Sequence, residues 1–393
     1  MGETRGDPLA AVGPWPVPMD NPIRPYAWGS RTRLARLQGR VPDGVPEAEL
    51  WMGAHPDAPS LLVPDGGPPL ALDELVRIAP DAVLGAAVHR AFGPRLPYLV
   101  KVLAVEHPLS LQVHRQDKPE LVYALQPLDV LAGFRSPEAA ADLLTRHAGA
   151  RGVRVAELLS SSSGGGTAAE RLHAALAALV EWPDDDRVEL TGSVLGGARA
   201  ALAAGGLPGA EVVTLAWVAR LAVRYPGDPM VAAPYLLELV RLAPGDVLFV
   251  PPGSPHSHLY GTALEVMANS DSVLRAGLTT KPVAPRELLA AVDGASRPVL
   301  DVPWRRVSPH EVLWRPPVTQ FQLSRLRLDS GTPVHAYPFL AGPQVMVCTA
   351  GAVGIACGTD AIALAAGESA FVGAGGGPVT VAGPGEVFRI APA

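Results

Sequence analysis

Cysteine is almost missing from this 393-residue chain: only Cys348 and Cys357 occur, flanking the small-residue stretch TAGAVGIA. Two thiols set so late exclude a disulfide framework and read as small apolar strand residues. No 18-residue apolar stretch is free of charge, so a membrane-spanning helix is not expected. The N-terminal MGETRGDPLAAVGPWP lacks the basic start and apolar run of a secretion signal, and a cytoplasmic location is expected. Blocks rich in Lys and Arg are also absent, and the net charge is −6. That balance argues against nucleic acid as a partner, and no membrane partner is expected.

Apolar residues are plentiful, at 48%, with 18% charged, enough for two or three domains. With 42 Pro and 41 Gly, turns should be frequent. The first 20 residues read as irregular. Short apolar runs broken by Pro and Gly (ELWMGAHP, LPYLVKVLAV, LSLQVH, DVLAGF) then indicate a mostly-β unit. From about residue 136 the pattern turns helical. Ser136, Pro137 and Glu138 form an N-cap, first-position and first-turn sequence. TAAERLHAALAALVEW and EVVTLAWVARLAVRYP give two further helix candidates, and SSSSGGG reads as a flexible linker or loop. Beyond about 236 the β pattern returns. The expected organisation is a β domain from 15–135 plus 236–300, a helical insertion over 136–235, and a C-terminal β domain over 301–393. GDVLFVPPG at 245–253 resembles GESAFVGAG at 367–375, which suggests two copies of one β unit. In the second copy Pro378 falls where the first has His256, so it carries no metal-binding side chain there.

Two stretches carry chemistry. In LSLQVHRQDKPE, Leu109, Leu111 and Val113 alternate with Ser110, Gln112 and His114, the period of a half-buried strand whose polar face carries a hydroxyl, an amide and an imidazole. A solvent-facing strand with a mixed face is the plainer reading. In GDVLFVPPGSPHSHLYG, the spacing from Gly245 through Pro251 and Gly253 to His256 resembles the second metal-binding motif of the cupin superfamily, and His258 shares the face of His256. Gln112, His114, Glu120 and His256 together offer two imidazole nitrogens, one amide oxygen and one carboxylate, a donor set that suits zinc. With a single charged ligand the ion would keep a net charge near +1 and remain electrophilic. Lys101 within YLVKVLAV and Glu265 within ALEVMA are lone charges in apolar strands. Such groups are costly unless they pair, reach the surface or face a pocket.

The blocks NPIRPYAWGS, ELWMGAHPDAPS, LPYLVKVLAVEHPLSLQVH, DKPELVYALQPLDVLAGFR and LEVMANSDSVLRAGLTTK, in that order, resemble the type I phosphomannose isomerases over most of residues 21–290. The resemblance implies a mainly-β fold of cupin-like, jelly-roll domains with a helical insertion, the C-terminal domain lacking metal ligands. It implies one Zn²⁺ per chain and interconversion of mannose 6-phosphate and fructose 6-phosphate through an enediol(ate), with a sugar phosphate as the small-molecule partner and a monomer as the default assembly. On matched positions the zinc ligands fall on Gln112, His114, Glu120 and His256. Pocket residues fall on Lys101, Ser110, Lys118, Glu265, Asp271 and Arg275. Arg275 would join the metal in stabilising oxyanion charge, and Lys101 and Lys118 would neutralise phosphate or orient hydroxyls. Ser110 would donate to a phosphate oxygen, with Glu265, or alternatively His258 or a zinc-bound water, in proton transfer. His55, Trp28, Gly29, Glu49 and Trp51 are expected to play structural parts near the pocket. The chain departs from the family in two places. Only three residues separate His114 from Lys118, and His258 stands where the family commonly has Tyr. These departures keep open a degenerate relative that binds metal and sugar phosphate with little turnover. A third possibility is a different cupin metalloenzyme, such as an iron oxygenase.

Overall fold

The computed structural model describes residues 14–160 and 166–393. The fold is mainly β, with helices concentrated in one insertion. Ten strands form a sheet curled into a cup, and twelve form a second sheet behind it. The strand Tyr98–Val105 is buried throughout and lies between Glu49–Met52 and the long strand His256–Ala268. Alternation sorts its side chains. Tyr98, Val100, Val102 and Ala104 join the core between the two sheets, while Leu99 and Lys101 face the cup. Across that core Val345, Phe388 and Ile390 come from the second sheet, with Phe321 just before its strand Gln322–Leu328. Tyr98 donates its hydroxyl to the carbonyl oxygens of Pro343 and Ile390, 3.0 and 3.1 Å away.

The closed end of the cup is apolar, filled by Val122, Ala124, Leu128, Val130, Leu248 and Ala263 among others. The strand His256–Ala268 lines the interior along its whole length by changing parity. His256 and His258 point inward on even positions, and Ala263, Glu265 and Met267 on odd ones. A β-bulge between His258 and Tyr260 makes the change. Gly261 follows it at φ +134°, and a Cβ there would lie 2.3 Å from the carbonyl oxygen of Pro127.

Among the described residues the insertion contains five long helices: Pro137–His147, Gly149–Leu159, Ala168–Val180, Arg187–Ala204 and Gly209–Arg224. Ser136 caps the first, its hydroxyl accepting from the Ala139 amide, and Thr167 with Glu170 forms a capping box on the third. Two of the five, Gly149–Leu159 and Arg187–Ala204, are not foreshadowed by the periodicity. Their glycines depress helix propensity but permit close crossing: a Cβ on Gly197 would lie 2.2 Å from the carbonyl oxygen of His147. The helices pack on the outer face of the cup through Leu111, Val113, Leu131 and Phe134. Of the expected SSSSGGG linker, residues 161–165 lie outside the described residues.

The start of the chain corrects one expectation. Val17–Asp20 is a strand, and it pairs with Ser369–Val372 in the second sheet. Val17 and Met19 are buried there, so an apolar alternation overrides the local proline content. The repeated motif folds alike in both places. Val247–Val250 and Ser369–Val372 are strands followed two residues later by a turn, and Gly245 and Gly367 both take positive φ, +101° and +85°.

Candidate active site and metal centre

The open end of the cup is a cavity of about 550 Å³. Neighbouring strands deliver its polar floor by register. His256 is the Cα partner of Gln112, which also pairs with Arg275, and Glu265 lies opposite Lys101 on one side and Val122 on the other. Glu120 opens the strand Glu120–Ala124 and pairs with Met267. The three-residue link after His114 is a tight turn, closed by the Lys118 amide donating to the Arg115 carbonyl. The abbreviated segment therefore still returns Glu120 to the cluster, and its carboxylate is 1% exposed.

Glu120 sits between two imidazoles. Its Oε1 is 2.8 Å from His114 Nε2 and its Oε2 is 3.3 Å from His256 Nε2. Each ring has its Nδ1 3.0 Å from a backbone carbonyl oxygen, of Ser272 for His114 and of Ser254 for His256. A carbonyl can only accept, so Nδ1 carries the proton and the Nε2 lone pair of the neutral ring faces the carboxylate. Lone pairs at that distance repel unless a proton or a cation lies between them. His114 Nε2 and Glu120 Oε2 are also buried without a well-formed hydrogen bond. These three donors lie within 4.8 Å of one another and fit a metal ion. Gln112 borders the group. Its Nε2 is 3.2 Å from His256 Nε2 and its Oε1 3.4 Å from Ser110 Oγ, and turning the amide over aims the oxygen at the cluster.

Charge is dense around this centre. Burial holds the His114 imidazole down to about 4. Burial pushes the Glu120 carboxyl upward, and only positive charge brought between it and the two imidazoles, by protons or by a metal ion, draws it below the usual carboxylate range. Lys101 Nζ bridges Glu49 Oε2 at 3.6 Å and Glu265 Oε2 at 3.7 Å, and lies over the Trp51 ring. Burial alone would lower this ammonium, yet Glu49 and Glu265 raise it above its ordinary value. Lys118 is lowered, by burial first and by Lys101 in the same direction, although Glu120 lies 3.9 Å away. On the far side of Glu265, His258 Nε2 is 3.3 Å from Oε1, and neither ring nitrogen of His258 has a hydrogen-bond partner among the described residues. Lys101 and Glu265 thus pair with each other and also face the pocket.

At the mouth, Asp271 is 73% exposed and its Oδ1 lies 2.8 Å from His55 Nε2. Arg275, Ser110, Thr279, Thr280 and Lys281 line the same cavity. Sequence reasoning assigned no part to Lys281, Tyr26 or Arg24. Here Lys281 Nζ lies 4.5 Å over the Tyr26 ring, and the Arg24 guanidinium stacks on Trp51. The run LTTK closes the same block that carries Arg275 and was the available signal for Lys281. Glu49, assigned to packing, holds both Lys101 and the Trp51 indole N–H. The histidines left without a role pair locally: His147 with Glu211, His173 with the Leu289 carbonyl and His335 with Glu311. Among the described residues no helix is long and apolar enough to cross a membrane.

Comparison with known proteins agrees with this geometry. Residues 17–129 match the family model of the phosphomannose isomerase type I catalytic domain. The mannose-6-phosphate isomerase of Salmonella typhimurium is 35% identical over 308 residues, covering 71% of this chain and 75% of that protein. A crystal structure of a point mutant of the Salmonella typhimurium phosphomannose isomerase superposes with a TM-score of 0.83 at 31% identity, over 96% of this chain and 99% of that one. A mannose 6-phosphate isomerase bound with zinc and yttrium superposes with a TM-score of 0.82 at 30% identity, over 96% and 99%. A cup of this construction, a buried His–Glu–His centre at its floor and relatives of this kind lead to one conclusion: the chain belongs to the type I phosphomannose isomerase family and is an isomerase.

Proposed function

We propose that this enzyme interconverts mannose 6-phosphate and fructose 6-phosphate with one zinc ion per chain, held by Gln112, His114, Glu120 and His256. The observation that carries the reading is the Glu120 carboxylate with two Nε2 lone pairs turned onto it, beneath a cavity of about 550 Å³ whose wall bears Glu265 and Lys101. Bound zinc supplies a Lewis acid for the substrate's carbonyl and hydroxyl oxygens. The protein's own groups do the rest. Glu265 takes the proton from the carbon next to the carbonyl and returns it to the neighbouring carbon, so the enediol(ate) forms and collapses within one pocket. Lys101, fixed between Glu49 and Glu265, keeps the Glu265 carboxylate ionised and orients it. His258, against Glu265 on the other side, passes protons between the sugar oxygens.

The phosphate needs cations that are not already neutralised. Lys101 is held by two carboxylates, which favours hydroxyl orientation over phosphate binding for this residue. Arg275 and Lys281, together at the mouth with Ser110, suit the phosphate better, and Lys118 orients the sugar near the metal. The matching strand–turn pattern after Gly245 and Gly367 supports a duplicated cupin-like unit. Pro378 stands at the position of His256, so the C-terminal copy serves as a scaffold without metal ligands. A coupled assay following fructose 6-phosphate tests the reading: zinc-replete, folded protein should turn over mannose 6-phosphate, and absence of product would eliminate the proposal.

A further inference from the structure

A second cavity of about 550 Å³ lies beside the first, and Pro108 and Arg224 line both. Its walls include Trp217, Val223 and Tyr260, the last two 61% and 42% exposed. Arg199 reaches it from the helix Arg187–Ala204, and Arg220 and Arg224 from Gly209–Arg224. Among the described residues none of these three arginines has a carboxylate within ion-pair distance. Glu106, also in the wall, is engaged by Arg33 at 3.4 Å. Arg220 is oriented by stacking on Trp217, 5.0 Å from the ring centroid. His107 adds a fourth base, held below its ordinary value by burial and then by the Arg224 charge. In a chain of net charge −6, this concavity gathers uncompensated positive potential.

We propose that this groove is a second ligand site, for a phosphate-bearing molecule with a planar aromatic body, of the nucleotide class. Guanidinium forks match phosphate oxygens in pairs, which three arginines without a carboxylate partner among the described residues offer and a lysine patch would not. The Arg33 guanidinium covers one face of the Tyr260 ring, 4.3 Å from its centroid, so the ring's exposed remainder and the Val223 side chain supply the apolar surface for the planar part. Because Arg224 lines both cavities, anions bound in the two sites repel weakly and share one cation, but they do not exclude each other.

The test is calorimetric titration of the zinc-loaded protein with adenosine monophosphate, alone and with saturating mannose 6-phosphate. One nucleotide per chain is expected, weakened by less than about tenfold when the sugar phosphate is present, a coupling of ordinary size. The double variant Arg199→Ala/Arg220→Ala should lose at least about tenfold in nucleotide affinity, the scale of one charge-assisted contact, with kcat and KM unchanged. Complete displacement by sugar phosphate would assign the nucleotide to the active cavity and overturn the proposal. So would wild-type affinity in the double variant, or inorganic phosphate binding as tightly as the nucleotide. The titration requires no turnover, so a failure of the isomerase reading leaves its result interpretable.

Discussion

Lys101 and Glu265 are Cα partners on adjacent strands, and their charged ends lie 3.7 Å apart at the floor of the cup. Both are buried, so each charge depends on the other, and Glu49 adds to the stabilisation of the Lys101 ammonium. For Glu265→Gln a loss of about 10²–10⁴-fold in kcat is expected, the range of a general acid–base group, with zinc content unchanged. Steady-state kinetics beside metal analysis of the same sample decides this. Wild-type turnover would remove Glu265 from proton transfer.

Glu120→Gln removes the only charged donor from the proposed zinc-binding cluster. Zinc affinity should fall by more than the roughly 10–100-fold typical of losing an outer-shell partner. Metal content after dialysis against a buffered zinc solution measures it, and full stoichiometry in the variant would refute the ligand assignment.

Arg275→Lys exchanges a planar fork for a point charge at a position register-paired with Gln112. Turnover should drop at least tenfold while zinc stays bound. Near-normal rates with normal KM would show that any cation suffices there.

Chelation of the metal should lower the melting temperature by several degrees. An ion present at about a thousand times its dissociation constant contributes about 4 kcal/mol to the folded state. Differential scanning calorimetry with and without chelator measures the shift. Identical melting of zinc-free and zinc-loaded protein would mean that the His114–Glu120–His256 cluster does not hold the ion.

Gly261→Ala tests the bulge. The new methyl group would meet the Pro127 carbonyl oxygen at 2.3 Å, and φ +134° is unfavourable for alanine. Destabilisation of at least about 1–3 kcal/mol is expected, together with a fall in kcat as Glu265 shifts. Urea unfolding and kinetics on the same preparation report both.

Much of the site was legible because its chemistry is written in short spacings. The alternation of Ser110, Gln112 and His114, and the gap from Gly253 to His256, follow strand and turn geometry that a reader can count. Lys101 and Glu265 stood out as charges in apolar runs, but sequence offered pairing and pocket-facing as rivals, whereas the pocket contains the pair. The parity change around Gly261 was not legible. It depends on Pro127 in another strand, and no local pattern announces it. The helix Arg187–Ala204 was missed because its three glycines weaken the helical signal; the close approach to His147 accounts for Gly197, while Gly192 and Gly196 meet nothing nearby. Val17–Asp20 was passed over because its strand partner lies some 350 positions away, at Ser369–Val372.

The pairing of Val17–Asp20 with Ser369–Val372 ties the earliest described strand to one of the last. A ribosome that has released only the first 300 residues would leave the Tyr98 hydroxyl without its Pro343 and Ile390 partners, and would leave empty the part of the core between the two sheets which Phe321, Val345, Phe388 and Ile390 fill. That core is complete only when those last strands arrive. Truncations that spare every reacting group should still leave an insoluble polypeptide.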